Sequence, residues 1–147
     1  MLLPWGTDPM TRAIALTCLL VAATAPAAHA AEASEAAGVR AAEAWLKLVD
    51  AGQYGASWDE ASAMFRKAVS RSTWEKQAAA AREPLGKLVS RKLASKQLTH
   101  ALPGAPDGTY VVVIYETRFE HKERARETVT TMLDAGGRFR GAGYFIQ

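Results

Sequence analysis

Tyr110-Val111-Val112-Val113-Ile114-Tyr115-Glu116-Thr117-Arg118-Phe119 is the stretch on which the fold turns. It is rich in β-branched and aromatic residues, which suit a pleated, half-buried surface. Its first half is apolar on both faces, as expected of a strand with a neighbour on each side. Its second half alternates: Tyr115, Thr117 and Phe119 share one face, and Glu116 and Arg118 share the other. Such a strand needs partners, and the flanking sequence provides them. Leu88 to His100 reads as a first strand, closed by a turn at Pro103-Gly104-Ala105-Pro106-Asp107-Gly108. Beyond it, His121 to Arg124 reads as a charged turn and Glu127 to Leu133 as a third strand. Ala135-Gly136-Gly137 is a further turn, and Phe139 to Ile146 is the last strand. Gly141 and Gly143 lack side chains where a curved sheet would bend.

Ahead of Leu88 the period changes to that of helices. Val39, Ala42, Leu46 and Val49 recur at three- and four-residue spacing, which predicts a helix from about Ser34 to Ala51 with Trp45 beside the stripe. Gly52 supplies the positive φ that ends it. Ser57 with Glu60, and Ser72 with Glu75, read as capping boxes opening two more helices. Trp58, Ala61 and Phe65 form one apolar face, and Trp74, Ala78 and Ala81 another. Pro84 and Gly86 then close the helical part. Helices followed by a meander predict an α+β domain, with N-terminal helices packed on a curved antiparallel four-stranded sheet.

The first thirty residues read as an address. Arg12 precedes an uncharged run from Ala13 to Ala25, and Pro26 leads to Ala28-His29-Ala30. A basic start, a short apolar stretch and an A-x-A ending are the parts of a secretory signal peptide, with cleavage expected after Ala30. Met10 is an alternative start. The stretch is shorter than the roughly 20 apolar residues that span a bilayer, and nothing later resembles a membrane span. The expected organisation is a signal peptide at 1–30 and one α+β domain at 31–147, in the periplasm or secreted. The single cysteine of the 147 residues, Cys18, lies inside the address, so the mature chain has neither a disulfide framework nor a Cys-rich zinc site.

The assembled residues resemble a family of small exported bacterial proteins, domain of unknown function 4019. The likeness rests on Trp45, Tyr54, Ser57-Trp58, Phe65, Trp74 and Arg82-Glu83-Pro84-Leu85-Gly86. It continues through Arg91, Pro103-Gly104, Gly108-Thr109-Tyr110, Glu127-Thr128-Val129 and Gly143-Tyr144-Phe145-Ile146. Gly137-Arg138-Phe139-Arg140 departs from the Gly-Trp-Arg type of sequence more usual there. The resemblance implies a cystatin-like or nuclear-transport-factor-2-like roll and carries no activity with it.

No cofactor or metal is expected. His100 and His121 stand alone, and no nucleophile elbow or phosphate-binding glycine loop is present. Trp45, Tyr115, Glu116, Arg118, Glu127, Arg140 and Tyr144 are the candidates to line a pocket between sheet and helix. A carboxylate there could act as a base. Equally, Glu116, Arg118 and Glu127 could pair across strands on a solvated face. The tryptophans read as core at helical spacing, with a ligand-stacking wall as the alternative.

Charge is unevenly spread beneath the net +3. Residues 31–65 carry net −4 and residues 66–96 net +7. Lys87, Arg91, Lys92 and Lys96 are the candidates for a basic surface that meets an anionic envelope component or protein, with reversal at Arg91 and Lys92 expected to spare folding. Alternatively the block pairs with the acidic first helix. Nucleic acid is a poor partner for an exported chain, and the sheet face admits a homodimer. Two functions follow from the sequence. One is a non-enzymatic ligand- or protein-binding module of the envelope. The other is a small-molecule enzyme or carrier using the pocket, which requires a cavity holding Glu116, Glu127 or Tyr144.

Overall fold

One long helix sets where everything else sits. The computed structural model describes residues 26–147, so most of the address read at 1–30 lies outside the described residues. Helix α1 runs from Pro26 to Asp50, starting earlier than the apolar period alone indicates because its alanine-rich lead also favours helix. It ends in a Schellman motif: Gly52, at φ 71°, donates to Val49 O, and Gln53 N–H reaches back to Leu48 O at 2.9 Å. Ala42, Leu46 and Val49 are buried on its inner face.

The expected second helix is two. α2 (Tyr54–Asp59) and α3 (Ala63–Ala68) are separated at Ser62, which caps α3 by accepting from Phe65 N–H. α4 (Arg71–Arg82) is capped by Ser70, which accepts from Thr73 N–H. Both capping boxes are therefore corrected. Ser57 lies inside α2 with no exposed surface, and its hydroxyl is used for tertiary contacts. It donates to Tyr54 O at 2.7 Å and accepts from the Trp74 indole at 2.9 Å, while the Trp45 indole donates to its carbonyl at 2.8 Å. A buried indole N–H needs an acceptor, and one serine serves two of them. A 3-10 turn, Glu83–Leu85, and Gly86 lead into the sheet.

The sheet comprises β1 (Leu88–Thr99), β2 (Tyr110–Phe119), β3 (Lys122–Leu133) and β4 (Phe139–Ile146), all antiparallel in the order β1-β2-β3-β4. The chain is thus α+β, with a sheet that curls over α1 without closing; α1 packs on all four strands. β2 is central, as its apolar start requires. The charged turn expected at 121–124 is in fact the opening of β3. Glu120 and His121 alone make the turn, and the polar residues of β3 alternate, with Ala125 and Glu127 turned inward.

Two glycines permit the close packing. A Cβ on Gly38 would stand 2.5 Å from Val111 Cβ, so α1 can lie against β2 only without one. At Gly141 it would stand 2.9 Å from the Trp45 indole. Gly143 has ordinary room, at 3.6 Å from Thr130 Cβ, so the bend of β4 rests on the bulge opposite Thr130 and Thr131 and on Gly141. Among the described residues no helix is long and apolar enough to cross a membrane.

Candidate functional site

Two regions stand out where α1 meets the sheet. The first is a buried ionic network at the C-terminal ends of α1 and α4. Asp50 ends α1 one turn beyond Leu46, and Arg82 ends α4 on the stripe of Trp74 and Ala78, so helical period alone aims both at the sheet. Strand alternation aims Glu127 of β3 at the same point, with no exposed surface. Arg91 of β1 stands between the two carboxylates. Its Nε and Nη2 donate to Glu127 at 2.6 and 3.1 Å, and its Nη1 and Nη2 donate to Asp50 at 2.7 and 2.9 Å. Arg82 Nη2 donates to Asp50 at 2.8 Å, and its Nη1 lies 3.7 Å from Glu127. Thr117 and Tyr144 complete the shell of Glu127, each donating at 2.6 Å.

Two guanidinium groups face two carboxylates, so the network is neutral. Burial by itself would raise the Asp50 carboxyl, but the hydrogen bonds from Arg91 and Arg82 outweigh it and hold that group below its ordinary range. Burial, reinforced by the Glu127 charge, pushes the Tyr144 phenol up and keeps it a donor. Burial pushes Tyr115 up to about 12. Two buried atoms here, Arg82 Nε and Tyr115 Oη, lack a hydrogen-bond partner among the described residues. The Arg82 guanidinium carbon instead lies 4.7 Å from the centre of the Phe119 ring, a cation–π contact.

The sequence candidates separate accordingly. Trp45 points from α1 toward the sheet, and Tyr115, Glu127 and Tyr144 lie on the sheet face that meets it. Glu116 and Arg118 are exposed on the opposite face, across from Lys92 and Ser90 of β1, and so do not line an interior pocket. The pairing of Glu127 with Glu116 and Arg118 on a solvated face is also corrected, because alternation along β3 turns Glu127 inward. Arg140 lies at the far end of the sheet. Of the basic candidates, Lys87, Lys92 and Lys96 are exposed, Lys96 within 3.9 Å of Glu35. Arg91 is not on that surface, because a bulge between Leu88 and Ser90 reverses which side chains of β1 point inward. Its reversal therefore strikes the core. Four of the nine basic residues in 66–96 (Arg71, Arg82, Arg91 and Lys96) are held in ion pairs within the chain. Sequence reading missed Asp50, Arg82 and Thr117. The signal for the first two was present, as a charge placed on an apolar helical stripe.

Trp45 and Trp74 are core, with ring centres 5.5 Å apart, and Phe65 packs edge-on against Trp74 at 5.1 Å.

The second region is an open groove of about 650 Å³ between α1 and the β3–β4 hairpin. Ala33, Ala37, Ala41, Ala44 and Leu48 form its helical wall. Leu133, Phe139 and Gly141 face them, with an edge of Trp45 between. Arg40, Arg138, Arg140 and Glu60 are its charged lining residues, and Ser34 and Gly137 complete it. Arg140 is neutralised by Asp134 at 2.6 Å and Glu60 at 3.1 Å. Arg40 and Arg138 are exposed and pair with no carboxylate among the described residues.

A family model described as Protein of unknown function (DUF4019) matches residues 41–144. The chain belongs to the DUF4019 family. No curated protein and no solved structure matches it. In this DUF4019 chain the whole ionic network lies within the matched span, whereas Ala33, Ala37 and Arg40 of the groove lie ahead of it.

Proposed function

We propose that this DUF4019 domain is an exported, non-enzymatic binding module of the cell envelope, and that the groove between α1 and the β3–β4 hairpin is where it binds. One observation favours binding over catalysis. Glu127, the carboxylate best placed for acid–base chemistry, already accepts hydrogen bonds from Arg91, Thr117 and Tyr144. A general base must be free to reach a substrate proton. The space around Glu127 is filled by its own partners, while the groove, with its unpaired arginines, is open to solvent. Its volume falls in the roughly 300–1,000 Å³ range of small-molecule sites. Export rests on the basic, apolar and A-x-A segments of residues 12–30.

Native mass spectrometry of the chain taken from a cell-envelope fraction tests both parts. The expected polypeptide mass is that of residues 31–147, accompanied by a bound component that dissociates on denaturation. A polypeptide retaining residues 1–30 and found only in the cytosol overturns export. A processed polypeptide carrying no bound component, and gaining none from an envelope extract, overturns binding.

A further inference from the structure

We propose that the groove takes a single alkyl chain ending in one carboxylate, a free fatty acid; this rests on the binding reading above and names its ligand class. The walls are chemically one-sided. Ala37, Ala41 and Ala44 present methyl groups from consecutive turns of α1, and Leu48 and Phe139 add larger apolar side chains to the lining. Backbone amides of α1 are bonded along the helix, so this wall offers a ligand apolar surface and few polar partners. An alkyl chain needs none, whereas an extended peptide needs a partner for each amide it buries.

The obvious source of such partners is the free edge of β4, and it is obstructed. Ser62 N–H donates to Gly141 O at 2.7 Å, so the segment leading into α3 occupies that edge at Gly141, where it borders the groove and where a peptide would pair. That contact is what favours a lipid-like ligand over a peptide.

The rim sets the head group. Arg40 and Arg138 are both without a carboxylate partner among the described residues, and the third arginine, Arg140, is matched by Asp134 and Glu60. Counting all five charges leaves a surplus of +1, which complements a monoanion. A guanidinium binds a carboxylate through two parallel N–H donors. Glu60 on the same rim disfavours a more highly charged head.

Decanoate, decyl glucoside, lysophosphatidylglycerol and an extended decapeptide of alternating Val and Thr are the probes, titrated calorimetrically into the purified chain. Decanoate is expected to bind one to one, about tenfold more tightly than decyl glucoside, since one charge-assisted contact is of the order that changes affinity by that factor. Ala44→Trp places a large side chain from an exposed position into the groove and is expected to abolish binding while leaving thermal unfolding unchanged. Arg40→Gln with Arg138→Gln is expected to bring decanoate down to the level of decyl glucoside. Absence of decanoate binding overturns the proposal, as does equal binding of decyl glucoside or undiminished binding to the Ala44→Trp chain. Tighter binding of lysophosphatidylglycerol or of the peptide also overturns it. These outcomes leave the binding reading standing if a component bound in the envelope is still displaced by Ala44→Trp. That reading falls separately when no such component exists.

Discussion

The network and the groove both involve α1 and use the same residue type in opposite ways. At the C-terminal end of α1, Arg82 is buried and Arg91 is largely covered, and their charges are cancelled by Asp50 and Glu127 at hydrogen-bond distance. Toward its N-terminal half, Arg40 and Arg138 stand in solvent beside an apolar wall, with no carboxylate partner among the described residues. A charge taken out of water is tolerated only when paired, so the arginines of the network are committed to the fold. A charge left in water costs the fold nothing and remains available to a ligand. The largest test of this difference is Arg91→Ala. It leaves Glu127 without its principal cation in a site with no exposed surface, and a loss of about 3–5 kcal/mol in denaturant unfolding is expected. A loss below about 1 kcal/mol would mean that Glu127 does not depend on Arg91 for its burial.

A second test uses the one neutral group that donates to Glu127 from β4. Tyr144→Phe removes a hydrogen bond to a buried carboxylate, and a loss of about 1.5–3 kcal/mol at neutral pH is expected. The same variant bears on pH. A phenol whose folded value is raised contributes stability that is fully present below the unfolded value near 10 and is lost as pH rises toward the folded one. Tyr115, raised to about 12, acts in the same sense, so the thermal midpoint should fall from about pH 10 upward and fall less steeply in Tyr144→Phe. Asp50 acts in the opposite direction. Its folded value is lowered, so its contribution is present above the ordinary carboxylate range and is lost as pH falls through the folded value. Asp50→Asn should flatten the acid limb and leave the alkaline limb in place.

Gly38→Ala probes the stretch of α1 that carries the groove's wall, between Ala37 and Arg40. Removing a helical glycine gains up to about 1 kcal/mol. Here the added methyl would meet Val111 Cβ and Cγ2 at 2.5 Å, and overpacking a fitted core costs about 1–3 kcal/mol. A net loss near 1 kcal/mol is expected from chemical denaturation. A gain would show that α1 can lift from β2 freely, and the back wall of the groove would then not be rigid.

How much of this was legible in the sequence depends on whether a local period survives folding. Tyr110 to Phe119 could be read directly, because alternation along a regular central strand assigns each side chain to a face. Tyr115 and Glu116 fall on opposite sides as that period requires. Arg91 was misread because it was grouped with Lys92 by charge, although neighbours in a strand point to opposite faces. The register shifts between Leu88 and Ser90 and between Leu93 and Ser95 also deny β1 a single parity. His121 to Arg124 was read as turn because charge was taken for exposure, although β3 begins at Lys122 and strand residues on an outer face are charged as a matter of course. The helix caps failed differently. Ser57 and Ser72 have the spacing of capping boxes, but Ser57 is held by the demand of two buried indoles for an acceptor, a tertiary requirement invisible to spacing. The groove lies beyond sequence reading altogether, because its alanine wall and its hairpin wall are about a hundred residues apart.

The smallest expected effect is the one that separates the two regions most cleanly. Arg138→Ala should change stability by no more than about 0.5 kcal/mol, the usual range for an exposed side chain free of special contacts. Lys92→Glu on the outer face should cost no more than about 1 kcal/mol, since Lys92 is exposed and forms no ion pair among the described residues, and the new carboxylate meets Glu116 across the strand pair. Arg91 is its immediate neighbour in the chain, so the two substitutions differ chiefly in which side of β1 they touch. If Arg91→Ala and Lys92→Glu cost the same, the inward register of β1 is wrong and the neutral network with it. If they differ by several kcal/mol while Arg138→Ala remains silent, the arginines of this molecule divide by whether water or a carboxylate already holds them. Only those held by water can meet a ligand without unmaking the fold.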